Sequence, residues 1–327
     1  MGFLPAVRKH IHNDAAPSVA VEGSSKEKAI QWVKNHLAPG GGVLTHHKHA
    51  NASQEVTGYL IETLYDVGEI ELAKDLARWE ASVQRPDGAF AAPDGGPYTF
   101  DTAQVVRGFL AVIDVMPELE KNVRSACDYV EQHITSDGKV TTPSYDAWGA
   151  SAEDRFTLYT DLYVLPPLID AGKKLSETRY IEAAHRALHY FKGKPDLVQF
   201  KPSFSTLSHI FGYMMEALVD LGEVELARKG LAQAAAIQKS NGAIPAYPGV
   251  DWVCSTGMAQ LALAWYKLGE VGLGDKAFTY LEGLQNPSGG FYGSYGTGGK
   301  YLPDAEISWA VKFFLDCFVE KKKRGLT

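Results

Sequence analysis

A glycine-centred turn recurs along this chain, at Gly41-Gly42, Gly88, Gly138, Gly193, Gly242 and Gly290. The interval is roughly 50 residues, the length of a helical-hairpin repeat. Four turns share their wording: a Gln near a helix end, a Gly-containing turn, then an apolar residue, as in Gln84-Arg85-Pro86-Asp87-Gly88-Ala89-Phe90 and after Gln132, Gln238 and Gln285. The unit around Gly193 is the degenerate one. Amphipathic helices are predicted before most turns, over residues 26–37, 72–83, 119–133, 178–191, 224–238 and 275–284. After the turns, helices with far less polar surface are predicted to begin near residues 54, 102, 157, 206, 255 and 304. A helix that is apolar all round needs neighbours on nearly every side. Such helices, each with an amphipathic partner, predict an inner ring within an outer ring: an all-α (α/α)6 toroid of six hairpins. The helix from Lys26 precedes any apolar helix, and the one from Asp304 has no amphipathic partner of its own. The two are expected to pair. The alternative is an open solenoid whose terminal repeats carry polar outer faces.

Hydrophobic residues make up 45% and charged residues 22% of the 327 positions, which suits a folded chain with a large core. Residues 1–23 read as an N-terminal arm and 24–327 as a single toroid domain. A net charge of -7, with no basic run before Lys321-Lys322-Lys323-Arg324, argues against nucleic acid or anionic lipid as a partner. Cys127, Cys254 and Cys317 are widely spaced and odd in number, which points to reduced thiols and a cytoplasmic location. No apolar stretch is long enough for a secretory signal or a membrane span.

The Gln–Gly–Phe phrases at 84–90 and 285–291 resemble the repeats of the squalene-cyclase and protein-prenyltransferase families. The six-hairpin count is similar to that of the (α/α)6 toroid shared with many glycan-active enzymes. The resemblance covers about residues 26–320 and implies architecture more than chemistry. The Asp-x-Asp-Asp acid motif of class II terpene cyclases is absent. Asp251 and Cys254 resemble two zinc ligands of protein prenyltransferases, but LPDAEISWA stands where a partner His phrase belongs.

In a ring of hairpins the loops entering the inner helices gather at one mouth, and these loops are aromatic. Tyr98, Tyr145, Trp148, Tyr247, Trp252, Tyr292 and Tyr301, with Tyr159 on the third inner helix, are candidates for contact with a sugar ring, which has an apolar face and a hydroxyl rim. The shared Gly-Glu at helix ends sets a register in which Glu55, His209 and Thr256 are equivalent, one turn into their helices. Asp101, Asp161 and Glu306 lie near that level. Glu55, His209, Glu306, Asp101 and Asp161 therefore form the candidate acid–base set. Helix capping is the competing role for Asp101 and Asp304. Arg107, in an otherwise apolar run, is the candidate clamp for an anionic substituent, and a pair with Glu62 is its structural alternative. His46 and His47, in the His46-His47-Lys48-His49 loop, are candidate substrate contacts. The spacing there is not that of a metal site, and no metal or cofactor is expected.

The expected function is that of a carbohydrate-active enzyme acting on a saccharide, with an acidic one indicated by Arg107. Hydrolysis, β-elimination and epimerisation all need that chemistry. The rivals are a non-catalytic glycan-binding toroid in polysaccharide biosynthesis and an isoprenoid-processing or isoprenoid-binding toroid.

Overall fold

The computed structural model describes residues 19–92, 95–143 and 155–326. Among these, amphipathic helices α1 (Ser25–Asn35), α3 (Ile70–Val83), α5 (Glu120–Gln132), α8 (Thr178–Lys192), α10 (Val224–Ile237) and α12 (Val271–Glu282) alternate with nearly wholly buried ones. The buried series is α2 (Gln54–Val67), α4 (Thr99–Val112), α6 (Arg155–Tyr163) followed by α7 (Leu165–Leu175), α9 (Ser208–Asp220), α11 (Ser255–Lys267) and α13 (Ser308–Lys323). The third buried position is split because Pro166 and Pro167 lack an N–H and fit only a first turn, so a new helix starts there. The described strands are the short antiparallel pair β1 (Val253–Cys254) and β2 (Ser294–Tyr295).

Contacts divide the described residues into two compact units, one built from 38–44 and 51–197, the other from residues up to 37, 45–50 and 198 onward. In the first, α2 lies directly against α4: a Cβ on Gly58 would stand 2.7 Å from Val105 Cα, and one on Gly108 only 2.1 Å from the Gly58 carbonyl oxygen. In the second, α9 meets α11 through Gly257 against Ser208 and Gly212 against Gln260. There, too, α1 rests on α13, as the two leftover half-repeats require.

The repeated turn is a latch between hairpins. Arg85, Thr135, Lys239 and Asn286 each donate a backbone N–H to the carbonyl four residues on, at Ala89, Lys139, Ala243 and Gly290. Gly88, Gly138, Gly242 and Gly289 sit there with φ of 89°, 92°, 94° and 91°, a region that favours glycine. A Cβ at each would lie 2.1–2.4 Å from a carbonyl oxygen of the following amphipathic helix, at Ser125, Arg186, Lys276 and Lys28 respectively. The glutamine completes the latch. Gln84 Nε2 donates to the Gly88 and Asn122 carbonyls, both at 3.0 Å; Gln285 Nε2 donates to Gly289 at 3.0 Å and to Ser25 at 2.9 Å. Gln238 does the same toward Gly242 and Leu273.

Several details differ from the sequence reading. The residue equivalent to Gln84 in the turn at Gly138 is Ile134, not Gln132, and Arg186 reaches the Thr135 carbonyl in the missing glutamine's place. At the degenerate repeat, Gln233 of α10 does the joining, donating to Val198 at 2.6 Å and accepting from the Phe200 N–H. The second, fourth and sixth buried helices begin at 99, 208 and 308, against expected starts near 102, 206 and 304. Neither Asp101 nor Asp304 is a cap: Tyr98 occupies the N-cap of α4, and Asp304 lies before α13 in an ion pair with Lys48 at 2.8 Å.

The latch predicts unequal costs for two glycines of similar φ. Gly242→Ala must adopt a left-handed φ and press on the Lys276 carbonyl, whereas Gly222→Ala, at φ 77°, has nothing within 4 Å. Chemical denaturation should show roughly 1–2 kcal/mol lost for Gly222→Ala and about 1–3 kcal/mol more for Gly242→Ala. Equal losses would remove the interhelix contact from the account.

Candidate functional site

Repeat-equivalent hydrogen bonds set the register of the helix starts. Thr57 and Thr102 each accept a backbone N–H from the preceding turn, from Val43 at 2.8 Å and Phe90 at 3.0 Å. Ser208, Ser255 and Ser308 each donate their backbone N–H to a loop carbonyl, at Ala246, Gly293 and Thr45. Glu55 and Phe100 are therefore equivalent positions of the first unit, and His209, Thr256 and Trp309 equivalent positions of the second, where His209 and Thr256 keep the register read from the sequence. Asp101 lies one residue beyond Phe100, and Glu306 lies before α13 altogether.

In the first unit, Glu55 is 6% exposed and Asp101 is fully buried. Burial, then the neighbouring Asp101 charge, pushes the Glu55 carboxyl well above the usual carboxylate range. Glu80 of α3, fully buried, is raised by the same two causes. Asp161 on α6 is also raised well above its usual range by burial, with Lys139 opposing. Tyr98 and Tyr159 are buried in the packing. Arg107 lies 4.0 Å from Glu62 and 4.8 Å over the Tyr163 ring, an arrangement that belongs to the frame. Tyr145 and Trp148 lie outside the described residues.

In the second unit, the histidine loop and Glu306 form a joint. Glu306 Oε2 accepts from the indole of Trp32 on α1 at 2.7 Å; Oε1 accepts from Asn286 at 2.8 Å and Ser288 at 2.6 Å. Its backbone N–H donates to His47 Nδ1 at 2.8 Å. A carboxylate held by three donors and turned to an amphipathic helix is fitted to anchoring rather than proton exchange. His46 accepts the Lys48 N–H and is pushed down to about 3, first by burial and then by His49 and His47. Both rings thus use Nδ1 as an acceptor and stand as neutral structural histidines. Among the described residues, no three His, Cys, Asp or Glu side chains are placed to hold a metal ion.

His209 is the centre of an aromatic nest. Its Nδ1 meets Gln260 Oε1 at 2.8 Å. Since that oxygen only accepts, Nδ1 carries the proton and Nε2 is left as the acceptor. Ring centroids of Tyr213, Tyr301, Trp309 and Phe313 lie 4.6, 6.0, 6.4 and 6.5 Å from the imidazole. Tyr301 continues through Phe204 at 6.1 Å to Trp252 and Tyr247. Burial pushes His209 down to about 4. Gln260 Nε2, Trp309 Nε1 and Thr256 Oγ1 are buried and have no hydrogen-bond partner among the described residues. Tyr292 is half-buried, 5.7 Å from Tyr295.

Sequence reasoning missed Gln260, Trp309 and Glu80. The first two carried no signal, being ordinary in a buried helix. Glu80 carried one: measured back from the turn glycines of the other latched repeats, its equivalents are Val33, Val130, Ala234 and Leu281, all apolar, with only the degenerate repeat at Gly193 placing His185 there.

No protein-family model matches the chain, and no curated protein does. Solved structures do. An alpha-amylase from Clostridium perfringens shares 13% identity at a TM-score of 0.69, covering 92% of this chain and 99% of that one. A glycosidase variant in complex with glucose shares 14% at 0.68, covering 92% and 97%. A polysaccharide lyase shares 13% at 0.61, covering 93% and 98%. Likeness at this identity establishes the fold, the all-α toroid of helical hairpins common to these glycan-active enzymes.

The nest predicts a pH signature. His209 should titrate near pH 4 by NMR, with Nε2 unprotonated at neutral pH. The unfolded chain binds protons that the folded imidazole refuses, so this group's stability contribution is complete above about pH 6.5 and is lost as pH falls toward 4. Titration near 6.5 would contradict the burial.

Proposed function

We propose that this chain is a carbohydrate-active enzyme, a single toroid domain over residues 24–327 that binds a saccharide and acts on it by acid–base chemistry. The observation that carries the reading is Glu55: a carboxyl in the first turn of a buried helix, slightly open to solvent, kept protonated by burial and by Asp101. Such a group can deliver a proton to a glycosidic oxygen as its bond to carbon breaks, the step that hydrolysis requires of its general acid. Asp161, also raised by burial, is a second acid of the same unit.

A separate observation supports a saccharide ligand. Tyr301, Trp309 and His209 offer ring faces, while Gln260 Nε2, Trp309 Nε1 and Thr256 Oγ1 have hydrogen-bonding capacity to spare. Hydroxyls would satisfy these groups where hydrocarbon would not, which weighs against an isoprenoid. His209, neutral with Nε2 free to accept, suits a proton acceptor. Arg107 lies 4.0 Å from Glu62, the structural alternative to its clamping an acidic substituent. All three cysteines are free and buried, in keeping with a cytoplasmic setting, and no described helix is long and apolar enough to cross a membrane.

The test is a panel of neutral and acidic oligosaccharides with product analysis. For any substrate found, Glu55→Gln should lower kcat by about 100-fold or more with little change in KM. The wild-type rate should fall as pH climbs through the raised Glu55 range. Undiminished turnover by the variant would remove Glu55 from the chemistry. Binding without turnover would leave a glycan-binding protein.

A further inference from the structure

The structural register of the second unit sets Gln260 apart. Where His209, Thr256 and Trp309 are equivalent, the counterparts of Gln260 are Tyr213 and Phe313, both buried rings. Gln260 is buried just as fully, at 0% exposure, yet its carboxamide is turned across to α9, where Oε1 meets His209 Nδ1 at 2.8 Å. Gln104, a buried glutamine of α4, instead returns its Nε2 to its own helix, at the Phe100 carbonyl 3.2 Å away. Room for the crossing comes from Gly212, one turn after His209 on the same face of α9. A Cβ there would stand 2.7 Å from both Cβ and Oε1 of Gln260 and 2.9 Å from its Cδ, so a side chain at 212 would push the carboxamide away.

We propose that Gln260, seated by the notch at Gly212, is the positioning residue of His209: its oxygen keeps the ring proton on Nδ1 and so presents Nε2 as the acceptor to substrate. A neutral imidazole has one N–H, and whichever nitrogen donates leaves the other to accept. A carboxylate in the same place would select the same tautomer, but it would bring a buried charge and stabilise the imidazolium. The amide fixes the tautomer without either. Around the imidazole, α9 brings Tyr213, α13 brings Trp309 and Phe313, and the segment before α13 brings Tyr301. The thiol of Cys254, at the start of α11 beside the His209 backbone, is pushed up to about 12 by burial and is neutral. The catalytic half of this proposal rests on His209 being the proton acceptor proposed above; the hydrogen bond and the tautomer it sets do not.

Nitrogen NMR of the imidazole reads the tautomer without substrate. At neutral pH the wild type should show Nδ1 protonated and Nε2 bare. Gln260→Met keeps an unbranched side chain where Phe313 shows that an apolar one is accepted, so it should fold, and the proton should move wholly or partly to Nε2. Gly212→Ala leaves Gln260 in place in the sequence but closes the notch, and should do the same. Gln260→Glu restores an acceptor oxygen: the proton should return to Nδ1, and the ring should titrate at higher pH than the wild type's value of about 4, because a carboxylate favours the charged form. For any saccharide the wild type turns over, Gln260→Met should lower kcat roughly 10-fold or more with a smaller change in KM. Gln260→Glu should recover part of that rate while the acidic limb of its pH profile moves upward. A bare Nδ1 in the wild type, or an unchanged tautomer in Gln260→Met, overturns the proposal, and these two decide it even if Gly212→Ala does not fold. An altered tautomer with unchanged kcat overturns the positioning role. If the tautomers change as expected while no saccharide is turned over, Gln260 stands as the residue that orients His209 and the enzyme reading falls. If turnover depends on Glu55 while the tautomer ignores Gln260, the enzyme reading stands and this proposal falls.

Discussion

The structure depends on a join between one helical hairpin and the next. A glycine in left-handed conformation lets a turn press against a carbonyl of the following amphipathic helix, and a glutamine side chain ties the same turn to that helix's first residues. Each hydrogen bond contributes only about 1 kcal/mol. Their value lies in repetition, because hairpins that bury a face only against neighbours need the same spacing at every step. The last glutamine, Gln285, ties its turn to the Ser25 carbonyl of α1, so the chain's first helix receives what any next repeat would. Glu306 strengthens that joint through the Trp32 indole.

The first turns of the buried helices keep structural hydrogen bonds at Thr57, Thr102, Ser208, Ser255 and Ser308, yet the positions beside them vary: Glu55 and Phe100 in the first unit, His209, Thr256 and Trp309 in the second. The same burial that makes the helices apolar drives Glu55 up and His209 down. Neither shift needs a metal or an ion pair; desolvation suffices.

The architecture was legible because its signals are periodic: the glycine turns, the two helix types and the unpaired half-repeats at the ends. The Gln–Gly phrase was legible too, though as a resemblance to isoprenoid enzymes; in three dimensions it is a fastening that says nothing of substrate. Register set Glu306 inside the last buried helix, whereas a turn at 303–304 and the bridged residues Glu306 and Ile307 precede its start at Ser308, and α4 begins at Thr99, which leaves Asp101 in its first turn. Arg107 was readable as an oddity with Glu62 as its structural alternative; Tyr163, the ring it lies over, comes from another helix that a linear pattern does not rank. Glu80 was visible in the repeat alignment but hidden within a helix whose other charges are ordinary surface residues.

The central claim is that the level carrying His209 and Trp309 receives a sugar. A crystal structure of the chain soaked with an oligosaccharide from which it forms product, or which it binds, tests this most directly. The account predicts a pyranose ring against Tyr301 or Trp309, with hydroxyls on Gln260 Nε2 and Trp309 Nε1. A sugar bound only on the exposed faces of the amphipathic helices, with those two donors still unsatisfied, would contradict it.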